Sequence, residues 1–239
     1  MGLAIVLLLA YAAGVAISPT PILVILLILF SASGRRNGFG FLGGWIIGLS
    51  LLALLTFLLL APGEQILTAT SSLARPLVQC AIGLGVIWLG KRRWNVPPQE
   101  TAEAAMPKWM ASADQFLTKS SDKFTPRRAL ALALFMSAFS PKNIALMLAF
   151  GLTLTQADFS QQTAAAFLFL FVILSSLTIG LPVLYAALKG DDAQETLNQI
   201  KRWVVLNRSR ALALLLFALG AIMLLNALVE LMQNLTSGA

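Results

Sequence analysis

Two short motifs with prolines decide the fold. Ser140-Pro141-Lys142-Asn143 lies in the middle of an apolar run at 129–154, and Ser18-Pro19-Thr20-Pro21 lies in another at 3–31. Both runs are longer than the about 20 residues that a membrane-spanning helix needs. Proline removes a backbone donor and clashes with the preceding turn. Each motif therefore predicts a helix that is interrupted at membrane depth, or at least a proline kink in a packed helix.

The composition around these motifs is that of an integral membrane protein. Apolar residues make up 58% of the 239 residues and charged residues 11%, against roughly 25% charged in an average soluble domain. Apolar runs recur six times along the chain. They lie at 3–31, 38–61, 73–90, 129–154, 163–187 and 211–232. We predict an all-α protein with six transmembrane helices in a single transmembrane domain over 1–239.

The basic residues predict how the chain is oriented. Fifteen of the 17 Lys and Arg residues fall after the first, third and fifth apolar runs. The positive-inside rule therefore places these three loops in the cytoplasm and both termini outside. The net charge of +7 comes in short clusters between apolar runs, so we expect no nucleic-acid partner and a lipid bilayer instead.

The two motifs also divide the chain into matching halves. Pro19 and Pro62 are 43 residues apart, and Pro141 and Pro182 are 41 apart. We predict one repeat over 1–92, a cytoplasmic loop over 93–126 and a second repeat over 127–239. Since each half holds three helices, the two halves must be inverted in the membrane, which is a transporter pattern.

Two connections carry amphipathic segments. One lies at 106–117 in the long loop, and the other starts near Asp192 and Glu195 and places Leu197, Ile200 and Val204 on one face. Anchoring on anionic lipid is the simpler interpretation, and a regulatory or partner-binding role stays open.

Lys142 lies near the centre of its span, where a charged side chain costs on the order of 3 kcal/mol or more. No Asp or Glu lies in the middle of any apolar run. The positive charge of Lys142 must then be compensated in another way: by freed carbonyls, by water, by loss of its proton or by an anionic ligand. A ligand or translocation role and a purely structural role, by snorkelling or carbonyl pairing, both stay open.

Other polar and small residues in the spans predict helix packing. Gly40, Gly44 and Gly48 recur every four residues, which lets helices approach closely, within the monomer or in a homodimer. The polar group at Ser175, Ser176 and Thr178 predicts interhelical hydrogen bonds.

Several kinds of chemistry are disfavoured by what the sequence lacks. It has no histidine, and Cys80 is its one cysteine, so a His-based site and a paired-thiol relay are excluded. Ser140 and Lys142 are two residues apart and do not face each other on a helix, which argues against a catalytic dyad. We expect no enzyme activity, no cofactor and no metal.

The two motifs and the six-span layout resemble the LysE superfamily of bacterial exporters. The stretch Gly34-Arg35-Arg36-Asn37, the glycines that follow it and the long third connection look most like the GAP branch, the peptidoglycolipid-addressing proteins. This resemblance implies export across the bacterial cytoplasmic (inner) membrane, with substrate-binding residues in both motifs. Ser140 stands where Asn is more familiar in this superfamily and Thr20 where Gly is, so no particular substrate follows.

The predicted function is export of a small anionic or zwitterionic solute, or of a lipid-linked compound. Metal cations would need carboxylate, His or Cys ligands at depth, which the spans do not offer. An alternative is a lipid- or glycolipid-handling assembly factor that works without alternating access.

Overall fold

The computed structural model describes residues 2–31, 33–60, 74–95, 125–156 and 159–237, and within these ranges the regular elements are helices, with no strand. In chain order the α-helices are α1 (Gly2–Ala16), α2 (Pro19–Leu29), α3 (Gly34–Leu60), α4 (Ala74–Trp94), α5 (Pro126–Ala138), α6 (Pro141–Gln156), α7 (Gln161–Lys189) and α8 (Ala193–Ser237). A 3-10 turn at Gly190–Asp192 links the last two.

The two proline motifs interrupt helices where the sequence predicts. Ser18 is extended, with φ −116° and ψ 102°, and α2 begins at the following Pro19. Leu8–Ala16 and Pro19–Leu29 are bent by 51°, and Pro126–Ala138 and Pro141–Gly151 by 55°. Both new helices start on a proline because a missing donor does no harm in the first turn.

Several of these helices are long and apolar enough to cross a membrane. Gly34–Leu58 and Gln161–Lys189 qualify alone, and each bent pair qualifies if it counts as one span, which gives two to four spans among the described residues. The six-span, inverted layout therefore stays a prediction. Pro182, which marks the second repeat in the sequence, lies inside α7, and Pro62 lies outside the described residues.

A row of glycines joins α3 to α5 in parallel. A Cβ added to Gly40 would meet the backbone of Pro126, one added to Gly44 the backbone of Leu130, and one added to Gly48 the side chain of Ser137. Both series rise together along the chain, so the two helices run in the same direction. The four-residue spacing thus serves packing within the monomer, one of the two uses considered for it.

A second glycine contact joins α4 to α8, here antiparallel. A Cβ on Gly83 would lie 3.2 Å from the carbonyl oxygen of Gly220, and one on Gly90 would lie 3.3 Å from that of Ala213. The numbers rise on one helix as they fall on the other. Small residues again allow the two backbones to approach closely.

Aromatic side chains fill the space between α1, α6 and α7. The Phe150 ring lies 5.1 Å from that of Phe171 and 6.2 Å from that of Tyr11. Phe150 and Phe171 are fully buried. This packing keeps α6 and α7 close to α1, the helix that ends at the first break.

Helix α8 differs from the sequence prediction. The amphipathic segment after Asp192 and the sixth apolar run form one helix of 45 residues, about 67 Å long at 1.5 Å per residue. The reason is that 193–232 holds no proline and only one glycine. Leu197 and Val204 are buried, but Ile200 is exposed, so only part of the predicted apolar face is covered. The amphipathic segment at 106–117 lies outside the described residues.

Candidate functional site at the two helix breaks

Lys142 connects the two breaks. It is the second residue of α6, and its ammonium Nζ donates to the backbone carbonyl of Gly14 at 2.6 Å and to that of Val15 at 3.4 Å. These carbonyls form the C-terminal end of α1, immediately before Ser18. The side chain of the second motif therefore reaches the turn that precedes the first motif.

The carbonyls that bind Lys142 are available because of the sequence at the first break. In a continuous helix the carbonyl of Val15 would accept from residue 19, but that residue is a proline and has no N–H. The carbonyl of Gly14 would accept from Ser18, whose N–H instead donates to Ala16 at 2.8 Å. Of the compensating partners considered for Lys142, freed carbonyls are the ones present here.

Helix α7 donates further hydrogen bonds to carbonyls at this end of α1. The Thr178 hydroxyl donates to the carbonyl of Ala16 at 2.8 Å, and the Ser175 hydroxyl donates to that of Ala12 at 3.5 Å. The predicted interhelical bonds are thus present for these two residues. Ser176 differs, because its hydroxyl donates to Val172 in its own helix at 2.7 Å.

The second break is bridged by its own asparagine. Pro141 cannot donate to the carbonyl of Ser137, four residues earlier, and the side-chain amide of Asn143 donates to that carbonyl instead, at 3.0 Å. Asn143 is only 2% exposed. Its Oδ1 is buried and accepts no hydrogen bond within the described part of the chain.

Other polar atoms at the breaks have spare hydrogen-bonding capacity. An ammonium has three donors, and the two carbonyls of α1 occupy two of those of Lys142. Within the described ranges the hydroxyls of Ser18, Thr20 and Ser140 have no hydrogen-bond partner. Such groups are costly at membrane depth unless water or a polar ligand meets them.

The exposure of the eight predicted site residues is uneven. Thr20 and Pro141 are exposed, Ser18, Ser140 and Lys142 are half-buried, and Pro19, Pro21 and Asn143 are buried. No side chain of one motif bonds a side chain of the other. The hydrogen bonds from Lys142 to the backbone of α1 link the two breaks. A binding role for the eight residues stays a prediction.

The acceptors at α1 are the part of the site that the sequence analysis did not identify. Gly14 and Val15 contribute only backbone atoms, which carry no signature of residue type. Their one sequence signal is the following Pro19, which frees the carbonyl four residues back. Among the described residues, no group of three or more His, Cys, Asp or Glu side chains is placed to hold a metal ion.

Comparison with known proteins gives one match that covers most of the chain. The model of a family described as Sap, sulfolipid-1-addressing protein, matches residues 8–229. Neither the curated proteins nor the solved structures include a match.

Proposed function

Because this chain belongs to the sulfolipid-1-addressing protein (Sap) family, we propose that it exports an anionic, lipid-linked compound across the bacterial cytoplasmic membrane. The family's name refers to a sulfolipid, and a sulfated headgroup carries a permanent negative charge. A lipid with such a headgroup is a specific case of the anionic or zwitterionic cargo that the sequence predicts. We propose transport, with no enzymatic step.

The observation that carries this proposal is the position of the Lys142 ammonium between two helix breaks. It binds carbonyls of α1 and keeps a donor to spare. In the described part of the chain no carboxylate pairs with it. Carbonyls carry only partial charges, so the ammonium still attracts a full negative charge. A sulfate that enters at this depth would find a charged donor, and it would also find the unpaired hydroxyls of Ser18 and Ser140.

The proposal includes a topology. Six spans form two inverted halves, with both termini outside and the two breaks near the midplane, as in the LysE superfamily that the sequence resembles. The 51° and 55° bends at matching motifs support such a repeat. So does the parallel course of α3 and α5, since the second helix of one half and the first of an inverted half run the same way.

A lipid-handling assembly factor without alternating access is the second candidate. It is favoured by the exposure of Thr20 and Pro141, and by Phe139 beside the second break, which is 64% exposed. Breaks that can be reached from outside the bundle suit a lipid whose acyl chains stay in the bilayer. In this function the protein binds and presents the lipid but does not move its headgroup across.

Lys142→Met in reconstituted vesicles tests the first candidate. The probe is a fluorescent sulfated glycolipid, and its transfer between leaflets is followed by quenching with an impermeant reductant. We expect the variant to transfer it at least about tenfold more slowly, since a charge-assisted hydrogen bond contributes about 1.5–3 kcal/mol. Lys189→Met is the matched control, because Lys189 is exposed at the end of α7.

The same assay separates the candidates. Normal transfer by Lys142→Met would remove this residue from the mechanism. If the wild type binds the sulfated probe but transfers it no faster than protein-free vesicles, the assembly-factor function is the correct one. A zwitterionic probe of equal chain length shows how much the anionic headgroup matters.

A further inference from the structure

The end of α1 presents two successive backbone carbonyls to one positive charge. Gly14 and Val15 direct their oxygens at the same ammonium, at 2.6 and 3.4 Å. α1 has 15 residues, and the aligned peptide dipoles of a helix place about half a negative charge at its C-terminus. This end of the helix therefore attracts a positive charge, whether it belongs to a side chain or to a dissolved ion.

The oxygens around this point are those that hard monovalent cations use. Carbonyls of interrupted helices and helix C-termini coordinate alkali cations in membrane proteins, where they replace the water shell. The neighbouring hydroxyls of Thr178 and Ser175 donate their protons to Ala16 and Ala12. Each hydroxyl oxygen keeps lone pairs for a cation.

The ammonium of Lys142 resembles a dissolved cation in the relevant respects. It is a compact, strongly hydrated point charge, and here it is delivered on a flexible stem from another helix. Among the described residues, its hydrogen-bond partners are carbonyl oxygens of neutral peptide groups, and none is a carboxylate. A lysine that sits against carbonyls alone takes the place that an alkali cation would take.

We propose that the C-terminal end of α1 is a binding site for a monovalent alkali cation, and that the Lys142 side chain occupies this site as a tethered cation. In the native chain the ammonium and a dissolved cation are alternative occupants. The site then belongs to the backbone of the first break. Its existence does not depend on which cargo the protein handles.

Thermal melting of the purified protein in detergent tests the proposal without any cargo. The wild type and Lys142→Ala are compared in NaCl, KCl and choline chloride of equal ionic strength. Choline is the comparison cation, because its methylated nitrogen cannot be coordinated directly by carbonyl oxygens. We expect equal melting temperatures for the wild type, and for Lys142→Ala a rise of about 5 °C in Na⁺ or K⁺, because a ligand that binds only the folded state stabilises it.

Two further variants test whether the effect arises at this site. Lys142→Met keeps the space filled and should melt alike in all three salts. Adding Thr178→Val to Lys142→Ala removes one hydroxyl oxygen and should reduce the salt-dependent rise. The Lys189→Ala control, far from the breaks along α7, should behave as the wild type does.

Equal melting of Lys142→Ala in the three salts would overturn the proposal. Failure of that variant to fold in every salt would overturn it as well, because a cation that fills the site should replace the ammonium. Loss of sulfated-lipid transfer by Lys142→Met has no bearing on this result, so the cation site and the export function can fail separately.

Discussion

The first segment of one broken helix, α1, is held by hydroxyl groups of α7, whereas the first segment of the other, α5, lies directly on the glycines of α3. The contacts of α1 are made by side chains: Ser175 and Thr178 of α7 donate to its backbone carbonyls. Lys142 donates to it as well, and its Tyr11 ring packs on Phe150. The α5 contacts are backbone against backbone, repeated at Gly40 and Gly44. The breaks have similar bends, but their surroundings differ in kind.

This difference indicates which break is free to rearrange. Close backbone packing has one favourable geometry, because a shift of either helix brings atoms into overlap. A hydrogen bond between membrane helices contributes about 0.6 kcal/mol on average and exchanges with other partners. We infer that α3 and α5 move as one unit, whereas α1 is joined to its neighbours by side-chain contacts, which can exchange without backbone overlap. Three substitutions test this inference.

Gly44→Ala should have the largest effect. Its methyl group would meet the backbone of Leu130, which cannot turn aside as a side chain can. Overpacking of this kind costs about 1–3 kcal/mol. The free energy of unfolding, measured in detergent, should fall by that amount. Gly43→Ala is the matched control, since a Cβ there has nothing within 4 Å and alanine favours helix by about 1 kcal/mol.

Equal stabilities of the Gly44 and Gly43 variants would mean that α3 and α5 are not in close contact. The comparison between the two broken helices would then lose its basis. A destabilised Gly44 variant that still transfers lipid at the normal rate would show that the close contact serves folding only.

Thr178→Val should have an intermediate effect of about 1 kcal/mol. The change preserves shape but removes the donor to Ala16 at the end of α1. Ser176→Ala is the control, because its bond lies within α7 and does not reach α1. The two are compared by thermal melting. If both variants lose the same stability, the hydrogen bonds from α7 to α1 contribute no more than a hydrogen bond within α7 does.

Ser18→Ala should have the smallest effect on stability, less than about 0.5 kcal/mol. Ser18 precedes α2 but makes no side-chain cap hydrogen bond. Ser160→Ala is the reference, since Ser160 caps α7 by accepting from the N–H of Thr163, and loss of such a cap costs about 1 kcal/mol. A large destabilisation by Ser18→Ala would show that its hydroxyl has a structural partner and is not available to cargo.

The breaks and the helices next to them could be predicted from the sequence because their causes are local. Proline at positions 19 and 141 removes a donor whatever the surroundings, and long apolar runs form helices with bounds close to those expected. The continuity of α8 is harder to predict, since its amphipathic and apolar parts look like separate segments although no residue between them stops a helix.

The partners of Lys142 could not be predicted in the same way. That this residue needs compensation follows from its depth in an apolar run and the absence of nearby acids. What compensates it is a pair of carbonyls about 128 residues away in the chain. Backbone atoms are common to every residue, so only the three-dimensional packing of α6 against α1 selects them.

The parallel direction of α3 and α5 limits the ways in which the chain can be inserted into the bilayer during biosynthesis. Two helices that run in the same direction start on the same face. If α3 and the bent pair of α5 and α6 each cross the bilayer, the end of α3 at Leu60 and the start of α5 at Pro126 lie on opposite faces. A reporter fused after Leu60 and another fused before Pro126 should then be found in opposite compartments.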